Sequence, residues 1–127
     1  MNRKIIILFV SVAFAFAVIG VIAAIWPTIA SNYLVGIHQQ DVTKSLAKWK
    51  TEYKTIETHH DAVRAAEMLA YIQNYYVPGE EYHSTPEIEA KLQSQRQETV
   101  AALVVSLREF TSKDFGTDSD KWIAFLK

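Results

Sequence analysis

The stretch NRKIIILFVSVAFAFAVIGVIAAIWP, residues 2–27, decides the architecture. It is either a secretion signal that is removed or an anchor that stays in lipid. No charged residue lies between Lys4 and Asp41, and the apolar run from Ile5 to Trp26 has 22 residues. At about 1.5 Å rise per residue, the run spans about 33 Å, enough for a hydrocarbon core of about 30 Å. Signal peptides have an apolar region of only about 7–15 residues, so length favours retention. Ala15-Phe16-Ala17 has the small-x-small form of a cleavage site, yet Val18, Ile19, Val21, Ile22 and Ile25 continue the run past it. The chain has no cysteine, which excludes a lipoprotein anchor. Residues 1–27 therefore read as a transmembrane signal-anchor, with Ile5, Phe9, Phe14, Ile19, Ile25 and Trp26 in lipid.

The flanks set a topology. Arg3 and Lys4 precede the run, and no Lys or Arg follows it until Lys44. The positive-inside rule then predicts a single-pass protein of the inner (cytoplasmic) membrane. Its N-terminus is cytoplasmic and residues 27–127 are periplasmic. Trp26 and Tyr33 suit the outer headgroup level, and Pro27 is expected to interrupt the helix there. Gly20 and the alanines read as helix filler, because no glycine pair has the small-xxx-small spacing.

Beyond the anchor, residues 28–40 show no strong periodicity and read as a juxtamembrane connector. From Asp41 the pattern becomes helical. Val42, Leu46, Trp49, Tyr53 and Ile56 share one face, with Asp41 as the expected N-cap. Thr58-His59-His60-Asp61 caps a second helix that buries Ala62, Ala66, Leu69, Ile72 and Tyr76 and stops at Val77-Pro78-Gly79. Ser84-Thr85-Pro86-Glu87 starts a third helix, expected to run to Thr111, with Val100, Leu103, Val104, Leu107 and Phe110 on its apolar stripe. Residues 93–98 of that helix are polar on every face, so they are either exposed or held by polar contacts. Gly116 is expected to supply the left-handed residue that ends it. Thr117-Asp118-Ser119-Asp120 caps a short last helix carrying Trp122, Ile123, Phe125 and Leu126. The fold class is all-α: one transmembrane helix, then a bundle of about four helices over residues 41–127.

Composition narrows function. From Asp41 onward there are 11 Lys and Arg against 14 Asp and Glu, a net charge of −3. That balance lacks the basic surplus that phosphate backbones require, so no nucleic-acid partner is expected. His59, His60 and Asp61 are weak metal candidates, since adjacent histidines on a helix point apart and i+4 offers only Val63 and Arg64. Glu80, Glu81 and His83 read as a solvated acidic loop. No nucleophile pattern or Gly-rich phosphate loop is present. The expectation is a non-enzyme with no cofactor, no metal and no small-molecule substrate. Arg96 is a candidate inter-helix brace, reaching for Glu98, Glu67 or Asp114. Tyr75, Tyr76, Tyr82, Trp122 and Phe125 are candidate interface residues, because aromatics are enriched there.

Residues 61–122 resemble a single HEAT-like helical hairpin. DAVRAAEMLAYI is similar to the second helix of such repeats. QRQETVAALVVSLREFTSKDFGTDSDKW resembles the closing segment of bacterial HEAT-repeat proteins, where a Thr-x-x-Asp-Phe-Gly turn precedes a Trp-bearing helix. The matching residues are Thr111, Asp114, Phe115, Gly116 and Trp122. The family often has Gly after the Thr, where this chain has Ser112. The chain has room for one or two helical pairs, whereas solenoids need about three repeats. The resemblance implies a protein-binding scaffold without catalysis. By analogy of build, the expected partners are the lipid bilayer and other membrane-protein subunits, with this chain an accessory subunit of a respiratory or photosynthetic type of complex. The rival reading is a free-standing, membrane-anchored periplasmic binding module.

Overall fold

A computed structural model describes residues 2–75 and 82–127. Among these residues the chain forms helices α1 (Arg3–Glu52), α2 (His59–Tyr75), α3 (Pro86–Thr111) and α4 (Ser119–Leu126), and no strand. It divides into two units, Met1–Leu34 and Val35–Lys127.

The first unit is the leading part of α1. From Ile5 to Trp26 its apolar side chains cover the whole circumference of the helix, and the large ones are all exposed: Phe9 by 67%, Phe14 by 70% and Trp26 by 63%. The helix is long and apolar enough to cross a membrane, with a mean hydropathy of 3.1 over its most apolar window and none of that window buried. Pro27 lies inside α1, which corrects the expected interruption. A proline removes one backbone donor, a loss that long apolar helices absorb by local adjustment. The connector expected at 28–40 is likewise helical, so the long apolar stretch and the first bundle helix belong to one element. Asp41 consequently caps nothing. It lies mid-helix and pairs with Lys44 at 3.2 Å.

The second unit is built around α2, which packs against both α3 and α4. Its buried face is Ala62, Ala65, Ala66, Leu69 and Ile72. The alanines let neighbouring helices approach closely, and Leu69 and Ile72 supply bulk. The last turns of α1 add Val42 and Leu46, and Tyr53 follows just past the helix end. From α3 come Leu92, Leu103, Val104 and Leu107, and from α4 Trp122 and Leu126. Trp49, Ile56, Val63, Met68, Val100, Phe115 and Ile123 pack at the edge of this core. Tyr76 and the Val77-Pro78-Gly79 breaker lie outside the described residues.

Helix starts follow the sequence signals. Thr58 Oγ1 accepts from Asp61 N–H at 3.1 Å, and Asp61 Oδ2 accepts from Thr58 N–H at 3.3 Å, a reciprocal capping box. Thr85 caps α3 by accepting from Ile88 N–H, with Pro86 opening the first turn. Asp118 caps α4 by accepting from Lys121 N–H at 3.1 Å. The end of α3 departs from expectation. Ser112, with φ 56°, is the left-handed residue that closes it, and its N–H donates to the Arg108 carbonyl. Gly116, with φ 57°, takes a second left-handed position in the turn before α4.

Candidate functional site

Polar contacts position the strap that leads into α3. Gln39 of α1 is fully buried. Its amide donates to the Tyr82 carbonyl at 3.4 Å, and its side-chain oxygen accepts from the Ser84 hydroxyl. Beside it, His38 bonds the Tyr82 hydroxyl. Ser84 N–H donates to Glu89 at 2.8 Å, and His83 faces the same carboxylate at 3.1 Å. The Ser84 N–H, and then His83, hold the Glu89 carboxyl below the usual carboxylate range. Burial raises the Tyr82 hydroxyl pKa. Gly36 makes room for this strap: a Cβ there would stand 3.3 Å from Ile88 Cδ1 and 3.5 Å from Ser84 Cβ. Sequence reading missed Gln39 and Gly36. The only local signal was one glycine and one of two adjacent glutamines, Gln39 and Gln40, in a stretch of mixed polarity.

Between α1 and α3 runs an open groove of about 460 Å³, lined among others by Thr43, Lys44, Ala47, Ile88, Lys91 and Gln95. Ala47 and Ile88 supply apolar lining, and Lys44 and Lys91 supply cationic lining.

The expected interface aromatics have different neighbours. Tyr75, 72% exposed, has its ring 4.9 Å from that of Tyr71, which in turn meets Trp49 edge-on at 6.2 Å. Tyr82 is at the strap, against the His38 ring. Phe125, 48% exposed, lies 5.5 Å from Phe115. Trp122 is in the core and not on a surface, which corrects its expected position. Its ring meets Phe115 edge-on, and its Nε1–H donates to the Gly116 carbonyl at 2.8 Å, satisfying a donor that burial would otherwise strand. Tyr76 is outside the described residues.

Arg96 joins helices, though not through a carboxylate. It donates to the carbonyls of Ile72 and Gln73 on α2. The acids proposed for it are engaged elsewhere: Glu98 with Lys50, Glu67 with Lys127, and Asp114 with Arg108. Two buried hydroxyls complete the polar frame. Thr99 donates to the Leu46 carbonyl and Ser106 to the Lys54 carbonyl, each at 3.0 Å. Among the described residues, no buried side-chain polar atom lacks a partner.

Asp61, considered as a metal ligand, is used by the α2 cap. His83 faces Glu89, while Glu80 and Glu81 fall outside the described residues. Among the described residues, no three His, Asp or Glu side chains converge. No family model, curated protein or solved structure matches the chain.

Proposed function

We propose that this chain is a single-span membrane protein whose helical domain, residues 35–127, is a non-catalytic docking module on a larger membrane assembly. The observation that carries this reading is the contrast between the two units. Among the described residues the domain closes its own core and pairs its buried polar side-chain atoms, whereas the helix from Ile5 to Trp26 leaves every large apolar side chain uncovered. Such a surface is stable in lipid and aggregates in water. The charge flanks of that helix favour a periplasmic domain with a cytoplasmic N-terminus. Tyr71, Tyr75 and Phe125 remain exposed on the domain as aromatic contact area, and the HEAT-like resemblance points the same way.

The burial of Trp122 and Leu126 favours a second reading. The short last helix does not wait for a partner to cover it, so the domain is built to stand alone. That fits a free-standing anchored module that meets its partner transiently. Purification of the intact chain in a mild detergent separates the two. A stoichiometric complex of respiratory or photosynthetic type supports the docking reading; a lone chain supports the free-standing one.

A further inference from the structure

The seam between α1 and α3 matches opposite charges at one level and not at another. The two helices run the same way: Gly36 lies against Ile88, and Thr99 bonds the Leu46 carbonyl. Farther along, Lys50 of α1 meets Glu98 of α3 at 2.9 Å. About two turns earlier, in the open groove, the charged residues midway along the two walls are Lys44 and Lys91. Lys44 pairs with Asp41 of its own helix, and among the described residues Lys91 is in no ion pair. Glu87 lines the end of the groove near Gln40, so the lining carries two cations to one acid. Over residues 41–127 the balance is the reverse, 11 Lys and Arg against 14 Asp and Glu. The groove is a cationic exception on an acidic domain.

Resting on the docking reading above, we infer that this groove is the docking surface and that its occupant is an acidic segment of the partner protein. Carboxylates of that segment lie between Lys44 and Lys91, and an apolar side chain packs on Ala47 and Ile88. Charge complementarity selects this occupant. Two like charges on facing walls contribute nothing to the fold, whereas a carboxylate between them is attracted by both. The groove is open, which suits a chain that enters at one end and leaves at the other. A small ligand is held in a site that encloses most of its surface. Gln40 and Gln95, one near each end, offer side-chain amides to the backbone of the segment.

The test places photoreactive p-benzoylphenylalanine at Ala47, or at Tyr75 for comparison, in the full-length chain and irradiates native membranes. Both positions are exposed. An Ala47 adduct to a different protein is expected, its crosslinked peptide carrying Asp or Glu. Lys44→Glu with Lys91→Glu should lower the yield about ten-fold, and Lys44→Arg with Lys91→Arg should keep it. Both lysines are exposed, so these changes do not touch the core. Lys54→Glu with Lys113→Glu, an equal reversal off the groove, should leave the yield unchanged. Exchanging the acids of the crosslinked peptide for lysine should restore the adduct to the chain with Lys44→Glu and Lys91→Glu. A peptide without carboxylates, a yield that ignores the groove reversal, or an adduct to a second copy of this chain would each overturn the groove alone. So would a complex that co-purifies in mild detergent and crosslinks through position 75 but not 47. An intact chain recovered alone in that detergent would overturn the docking reading, and the groove with it.

Discussion

The Arg96 guanidinium of α3 reaches the C-terminal end of α2, where Nε donates to the Ile72 carbonyl and Nη2 to the Gln73 carbonyl, both at 3.3 Å. Those carbonyls are among the last four of α2, which have no donor within their own helix. A cation there also meets the negative end of the helix dipole. One side chain thus stops the end of α2 and fixes α3 against it. Arg96→Ala should destabilise the domain by about 1–2 kcal/mol, the range for a charge-assisted bond that is partly wet. Arg96→Lys should recover part of that, since an ammonium supplies the charge without the fork. Chemical denaturation of the three proteins in one detergent measures both.

Ser112 offers a change in the other direction. A residue with a Cβ in the left-handed region costs about 1–2 kcal/mol, and glycine avoids most of it. Ser112→Gly should therefore stabilise the domain by about 1 kcal/mol, read as a raised Tm. Gly116→Ala, at φ 57° with open space around its Cβ, should lower Tm by backbone strain alone.

Trp122 carries the attachment of α4. Trp122→Ala should cost about 3–5 kcal/mol, the range for emptying a buried aromatic site. Trp122→Phe should cost less, losing the bond to the Gly116 carbonyl and part of the volume. Hydrogen exchange should show α4 amides losing protection before those of α2 and α3 in the alanine variant.

Acid should destabilise the domain in a defined window. Backbone N–H groups of Ser84, Gly116 and Lys121 lower the pKa values of Glu89, Asp114 and Asp118, and Lys50 lowers that of Glu98. A depressed native pKa gives stability that is complete above the unfolded value, about 4, and is lost as pH falls through the lower native value. Tm should be flat between about pH 7 and 5 and fall below about pH 4. Glu89→Gln, Asp114→Asn and Asp118→Asn together should flatten that acid limb.

The helix starts were legible in the sequence because their signals are local. Thr58 with Asp61, Thr85 with Pro86, and Asp118 each lie within three residues of the amide or turn they organise. The α2 stripe was legible for the same reason, with Ala65 the one buried position left out. The continuity of α1 was not. Pro27 and the polar residues after it look like a break when judged by neighbours alone, and Asp41 looks like a start. What joins the two halves is helical backbone bonding that resumes on both sides of Pro27, to which no single residue testifies. The polar frame was hidden by distance along the chain. Gln39 meets Ser84, Thr99 meets Leu46, and Ser106 meets Lys54 across at least 45 positions. The Arg96 brace was anticipated, but with acids as its partners, because carboxylates are visible in a sequence and unpaired helix-end carbonyls are not. Trp122 was placed outside since an eight-residue helix does not reveal which face it buries.

The most direct test of the central claim is protease digestion of intact spheroplasts that express the chain with a tag at each end. A retained anchor facing outward predicts loss of the C-terminal tag. It also predicts a membrane-bound fragment that keeps the N-terminal tag and residues through the span, and stays in the pellet after alkaline carbonate. A C-terminal tag that survives until the cells are lysed, or a chain that starts beyond residue 17 and washes into the supernatant, would contradict it.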